Sequence, residues 1–482
     1  MIKENELISR VFLTIDQFKT LDQLKVHISK NEYNPFNCGH YSRVLVWKSC
    51  LITGSLNINE WDSQLHNARA VYHQLVHRSD MKIPWSKLDN ENQFYKQDHD
   101  QINYNNSGHS VTKPSKDKNI KQKLNRIPIS NDPLAPTLRS STPPIFYENT
   151  DEDLDLLTII IMDIDRLFPG EWFYSNSNPL SLVHKQTLVE VLYIWAKCNP
   201  RVGYKQGIHE ILGLLYMNLH HESIVIPKTN SLSHQELTIL NLFNSKYMSH
   251  DLFTIFNKFI LESRIIDKFY ETEDSLWKSI EYFNMKLMKI DQLIHYTLIN
   301  KLRLESQLWI IRYLRLLLLR ELVDLDAVSL LWDKIIATPT SNNRIVPVPE
   351  FITFMVIQLL LQIKTQLITG DFSETMSLLL HYPISTKVQN KRLKLEFINN
   401  LYTDALNLYE KRDNDLQLYE YGIKLNTKYN PDVRVTISSA RSSIDSSTSI
   451  PNQTTSSKDK MKLEKARLEL KLKKKAQQMI NK

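Results

Sequence analysis

Glycine is scarce in this chain, nine residues in 482, where an ordinary composition holds about 7%. Strand-rich and dinucleotide-binding folds use glycine in tight turns and phosphate loops, so the scarcity points to helices. No stretch reads GxGxxG, and none reads GxxxxGK followed by Ser or Thr, so a nucleotide bound in either of those two ways is not expected. The three cysteines, Cys38, Cys50 and Cys198, have no CxxC spacing and form no even-numbered framework. That pattern fits buried thiols in a reducing compartment. The opening residues MIKENELISR lack the apolar core of a secretory signal. The most apolar run, Ile310 to Leu325, is interrupted by Arg312, Arg315, Arg320 and Glu321 and is too short and charged to span a bilayer. A cytoplasmic, soluble, all-α protein is the expectation.

What is present is unevenly spread. The formal net charge is +7, and residues 458–482 alone carry nine Lys and one Arg against three acids, which is the whole excess. The remaining chain is balanced, so no bulk field recommends a nucleic-acid partner. Residues 96–143 are rich in Asn, Ser, Lys and Pro and read as a disordered polar insertion. Residues 434–457 read as a Ser/Thr-rich linker, and 458–482 as a charged C-terminal helix. In that helix Leu463, Ala466 and Leu470 share one stripe, and Leu468, Leu472 and Met479 another. Elsewhere the period is helical. Helices are expected over 8–29, 39–53, 61–77, 151–168, 180–198, 206–220, 235–245, 250–261, 273–287, 305–322, 325–337, 349–368, 372–380 and 391–424. A two-lobed all-helical body is the simplest account.

Three of the nine glycines fall in NPRVGYKQGIHEILG, residues 199–213. With a helix starting near Gln206, Ile208, Ile211, Leu212 and Leu215 share a face. At roughly 100° per residue, Gln206 and Glu210 then point outward. Gly203 and Gly207 flank the glutamine and let another backbone or a ligand come close. A plain glycine turn between helices explains the stretch equally well. Upstream, Leu157, Ile160, Ile161, Ile164 and Phe168 form an apolar stripe, with Arg166 opposite its centre. Asp163, three residues earlier, can hold the guanidinium, and Pro169-Gly170 end the helix. An ordinary surface ion pair is the alternative reading.

Here the chain resembles the TBC-domain family. IIIMDIDRLFP matches its IxxDxxR motif through Ile160, Asp163 and Arg166, and GYKQG matches its YxQG motif through Tyr204, Gln206 and Gly207. The motif order and the spacing of about 40 residues also fit. GHYSRVLVWKSCL (39–51) is similar to the family's early helix, with Arg43 and Trp47, and residues 304–336 to its late helical pair ending in LWD. The QGxHE run, Gln206 to Glu210, and DPLAP, 132–136, are similar to the subgroup of yeast Ypt-directed activators. Leu167 and Ile208 depart from the Thr and Met usual in the family.

The resemblance implies a GTPase-activating protein for Rab/Ypt-type small GTPases in vesicle transport. It implies Arg166 as an arginine finger and Gln206 as a glutamine finger, with Asp163 positioning Arg166, Tyr204 contacting the GTPase switch region and Gly207 supporting the turn. The partner would hold GTP and Mg²⁺, so no cofactor of its own is implied. It implies that 1–95 holds the first helices and the start of the TBC domain and that 144–433 holds its catalytic and C-terminal part. A Golgi or endosomal setting is implied too, with 458–482 contacting anionic membrane peripherally. A TBC scaffold that binds a Rab without stimulating hydrolysis is the alternative. A zinc enzyme is disfavoured: His209-Glu210 would need His at 213, where Gly213 stands, and His220-His221 are isolated.

Overall fold

A computed structural model describes residues 4–30, 33–35, 41–95, 151–227, 232–340, 345–433 and 457–480. The expected insertion over 96–143, the DPLAP segment and all but the last residue of the expected linker lie outside them. The described residues form 21 α-helices with short 3-10 and π segments. They contain no strand, only one isolated bridge between Ile224 and Asn244.

The chain divides into two compact units. Unit 2 is residues 74–209 and unit 1 the rest. The chain begins with α1 (Glu4–Gln17), α2 (Leu21–Ser29), α3 (Arg43–Lys48) and α4 (Ile58–Val76). Next come α5 (Asp151–Asp165), α6 (Ser181–Cys198) and α7 (Ile208–His221). α8 (His234–Leu242), α9 (Met248–Glu262), α10 (Ile265–Phe269), α11 (Glu273–Ile290) and α12 (Gln292–His295) follow. Then come α13 (Gln307–Arg315), α14 (Leu319–Leu322), α15 (Leu325–Ile336) and α16 (Val348–Gln362). The last are α17 (Lys364–Thr369), α18 (Phe372–Leu380), α19 (Lys391–Glu410), α20 (Asp415–Tyr429) and α21 (Ser457–Ile480).

With little glycine, helix starts carry the punctuation. Ser42, Thr272, Asp324, Asn390 and Asn414 each accept a backbone N–H from the first turn of the following helix. Capping boxes pair Ser233 with Glu236 and Asp371 with Glu374. Asn414 explains why the expected helix over 391–424 is two. The missing glycines also leave a mark. Arg264, Leu317, Leu318 and Val323 sit at φ of 67°, 50°, 65° and 60°, where side chains are strained. Leu317 and Leu318 split the expected 305–322 helix.

In unit 1, α16 is apolar and buried on nearly every side, the mark of a central helix. It packs against α10, α11, α13, α19 and α20. The two flanking motifs meet through the fully buried Asp333 of LWD. It accepts from Arg43 Nε at 2.8 Å and Nη2 at 2.9 Å, and from Trp47 Nε1 at 2.8 Å. α21 docks with one stripe: Leu463 and Leu470 are buried in a cluster with Leu293, Ile368 and Val433, and Ala466 packs beside them. Lys301 pairs with Glu464 at 2.9 Å, and Arg467 donates to the Gly370 carbonyl at 3.3 Å. In unit 2, α5 packs on α6. Leu157, Ile160, Ile161 and Ile164 of α5 are buried, as are Leu188, Val189, Leu192 and Trp195 of α6.

Candidate finger site

Arg166 and Gln206 both lie in unit 2, each just off the end of a helix. α5 stops at Asp165, three residues short of the expected end. Leu167 N–H then bonds the Ile164 carbonyl at 3.1 Å, and Glu171 N–H the Phe168 carbonyl at 3.0 Å. Phe168 takes a φ of 43° to make this turn while its ring stays buried near Tyr174. The apolar stripe of α5 thus turns inward and releases Arg166 to the outside, its side chain 61% exposed. The guanidinium Nη2 donates to Oδ1 of Asp163, whose side chain is buried. Its neighbour Asp165 is held by Gln93 Nε2 at 2.7 Å and faces the Lys185 ammonium at 3.6 Å. Burial pushes the Asp165 carboxyl above its usual range against the pull of Lys185.

The glutamine turn is built differently. Gly203 has a φ of 61° and Gly207 one of 99°, so both occupy backbone that only glycine adopts freely. Between them Tyr204, Lys205 and Gln206 are half-buried. The helix begins at Ile208, two residues later than expected, because Gly207 cannot join it. The expected core positions Ile208, Ile211, Leu212 and Leu215 are all buried. The outward placement of Glu210 is not borne out. It is buried and pairs with Arg320 at 2.8 Å. α7 is buried on every side from Ile208 to Leu219, so it has no outward face for a period to reveal.

The two segments are tied together. Tyr204 donates its hydroxyl hydrogen to Oδ2 of Asp163 at 2.6 Å. The same hydroxyl lies 2.8 Å from Nδ1 of the buried His209. Asp163 therefore grips Arg166 with one oxygen and the glutamine turn with the other. The Asp163–Arg166 contact follows the expected i, i+3 spacing. The inward use of the Tyr204 hydroxyl and the part of His209 were not foreseen. Among the described residues no group of three or more His, Cys, Asp or Glu is placed to hold a metal ion.

The family model of the Rab-GTPase-TBC domain matches residues 138–368, a span that contains Arg166, Gln206 and the cluster joining them. The chain is a TBC-domain protein. Its TBC fold superposes on the crystal structure of the Ypt/Rab-GAP domain of Gyp1p with a TM-score of 0.54 at 18% identity, covering 84% of this chain and 99% of that one. Among curated proteins, human TBC1 domain family member 5 is 23% identical over 274 residues, 52% of this chain and 33% of the relative; the mouse protein gives 23%, 52% and 32%. Human TBC1 domain family member 13 is 28% identical over 230 residues, 45% of this chain and 51% of the relative. The chain thus spans about a third of the first relatives and about half of the other. Among the described residues no helix is long and apolar enough to cross a membrane.

Proposed function

We propose that this TBC-domain protein stimulates GTP hydrolysis by a Rab/Ypt-type small GTPase in vesicle transport, with Arg166 and Gln206 supplied in trans. The carrying observation is the shared grip of Asp163. One carboxylate orients an exposed guanidinium and also anchors the turn that bears the glutamine. The slow step in such GTPases is water attack on the γ-phosphate, with charge shifting toward the leaving oxygen. A planar, permanently charged guanidinium neutralises that charge and is worth about 10³–10⁵ in rate, or about 4–7 kcal/mol of barrier. A carboxamide can accept from the attacking water and donate to the phosphate. The partner would hold GTP and Mg²⁺. Met162, 64% exposed one helical turn before Arg166, and Trp172, 63% exposed six residues after it, offer apolar area to a docked partner.

The test is phosphate release from a panel of GTP-loaded Rab/Ypt proteins, with wild type, Arg166→Ala and Gln206→Ala. Each variant should fold as wild type and lose most of the stimulation. Binding of a Rab without stimulation by wild type would favour the scaffold reading; a fully active variant would remove that finger.

The basic tail adds a peripheral contact with anionic membrane, on Golgi or endosomal surfaces. While the Leu463 stripe is covered, Met461, Leu468 and Leu472 stay exposed on a lysine-rich helix, which anionic lipid attracts. Deleting 458–482 should lower recovery on anionic vesicles, and unchanged recovery would rule the contact out.

A further inference from the structure

We infer that His209 is a positioning residue for the finger pair, donating from Nδ1 to the Tyr204 hydroxyl and so clasping the Gln206 turn. This deepens the proposed function and rests on it. The assignment follows from counting hydrogens. A carboxylate only accepts, and the Tyr204 oxygen lies 2.6 Å from Oδ2 of Asp163. The one hydroxyl hydrogen must fill that contact, since two bare oxygens at this distance would repel. The Tyr204 oxygen is then an acceptor toward His209 Nδ1 at 2.8 Å, so Nδ1 carries the hydrogen. The Gly207 N–H also points at Nδ1, at 3.4 Å. That longer contact would need a bare Nδ1, and the two shorter ones outweigh it. Donation therefore runs from His209 to Tyr204 to Asp163, which Arg166 meets from the other side.

The placement gives this chain of bonds its effect. Tyr204 and His209 bracket Gln206 in sequence, and their side-chain bond spans the turn that Gly203 and Gly207 make possible. His209 is buried in the first turn of α7, so the turn is fastened to a rigid element. Without the bond, Tyr204 can rotate away from Asp163, and the glutamine turn and Arg166 lose their common anchor. A catalytic group displaced by about 1 Å can lose on the order of a hundredfold in rate.

Two variants separate positioning from packing. His209→Phe keeps a flat ring without a donor. His209→Asn places an amide N–H where Nδ1 stood. His209→Phe should lower stimulated kcat ten- to a hundredfold with KM for the GTPase within about twofold, and His209→Asn should recover most of the loss, both folding as judged by thermal melts. Equal losses in the two variants, or a change in KM alone, would overturn the inference. Nitrogen-15 NMR of histidine-labelled full-length protein, with the His209 signal assigned by its absence in His209→Asn, gives a readout independent of any GTPase. Nδ1 should be protonated, and an Nε2–H tautomer with bare Nδ1 would overturn it. If wild type stimulates no GTPase, the proposed function fails, while the imidazole signal still decides the bond.

Discussion

Replacing Asp333 by Ala should be among the most damaging single changes to the fold. The carboxylate is fully buried. Besides Arg43 and Trp47, it accepts from the Tyr33 hydroxyl at 3.3 Å. Burial alone would lower the Arg43 pKa, but the Asp333 charge more than reverses this, so the guanidinium stays charged. Without Asp333 that charge, 16% exposed, keeps its bond to Asn218 at 2.7 Å but loses its counter-ion. Breaking a buried pair from one side costs about 3–5 kcal/mol, and an orphaned Trp47 N–H on the order of 1–3 kcal/mol. The terms share one acceptor and do not add fully, so about 4–6 kcal/mol is expected. Tyr33→Phe removes only the long 3.3 Å bond and should cost about 0.5–1 kcal/mol. The double variant Arg43→Met/Asp333→Leu should recover part of the Asp333→Ala loss, because no buried charge is left alone. Urea denaturation followed by circular dichroism gives the ordering. If Asp333→Ala costs no more than Tyr33→Phe, or if the double variant is no better, the charge-orphaning argument is wrong.

Three further outcomes are expected. Gly207→Ala forces a side chain into a φ of 99°. It should lower stability by about 1–3 kcal/mol and weaken stimulated hydrolysis; an unchanged melt would contradict the turn geometry. Burial pushes the His295 pKa down to about 4, while the unfolded value is about 6.5. Its neutral form therefore supports the fold above pH ~6.5, and that support is lost as pH falls toward 4, on the order of 3 kcal/mol. His295→Gln should flatten this acid slope in urea titrations, and an identical slope would count against the assignment. Leu463→Asp places a charge in the covered stripe of α21. Limited proteolysis should then cut the tail at least tenfold faster by an opening cost of over 1.4 kcal/mol; an unaltered digest would show that the docking contributes little.

The α5 segment of unit 2 was legible because that helix is amphipathic in the ordinary way. Every apolar position in the α5 stripe is buried, and the Asp163–Arg166 pair follows from helical spacing alone. A helix covered on all sides carries no such signal. In α7 the period could not distinguish a face, so Glu210 was placed outward when it is buried beside Arg320. Helix breaks made without glycine or proline, such as the left-handed Leu317 and Leu318, leave no mark in the sequence either. The Tyr204–Asp163 and Tyr204–His209 bonds were not readable, since the first joins residues 41 apart and the second crosses a turn. The only available hint was the His five places after Tyr204, on the far side of Gly207.

The placement of strained backbone sharpens the case for the site. A chain with so few glycines forces bulky residues into left-handed φ elsewhere, as at Arg264 and Val323. Yet the Gln206 turn has a glycine at both left-handed positions, Gly203 and Gly207. At Gly203 a side chain would be no more strained than Val323 is, so strain alone does not account for that glycine, but Gly207 at 99° lies beyond the left-handed range that the bulky residues use. Crowding does not account for Gly203 either, since a Cβ added there would meet nothing within 4 Å. Gly207 is buried, and its amide faces the His209 ring at 3.4 Å. On the Arg166 side, by contrast, Phe168 can be left-handed because its ring has its own place near Tyr174. The glutamine turn thus rests on glycine at both left-handed positions, the Arg166 turn on a packed, left-handed Phe168 followed by Gly170 at 97°, and Asp163 is where the two segments meet.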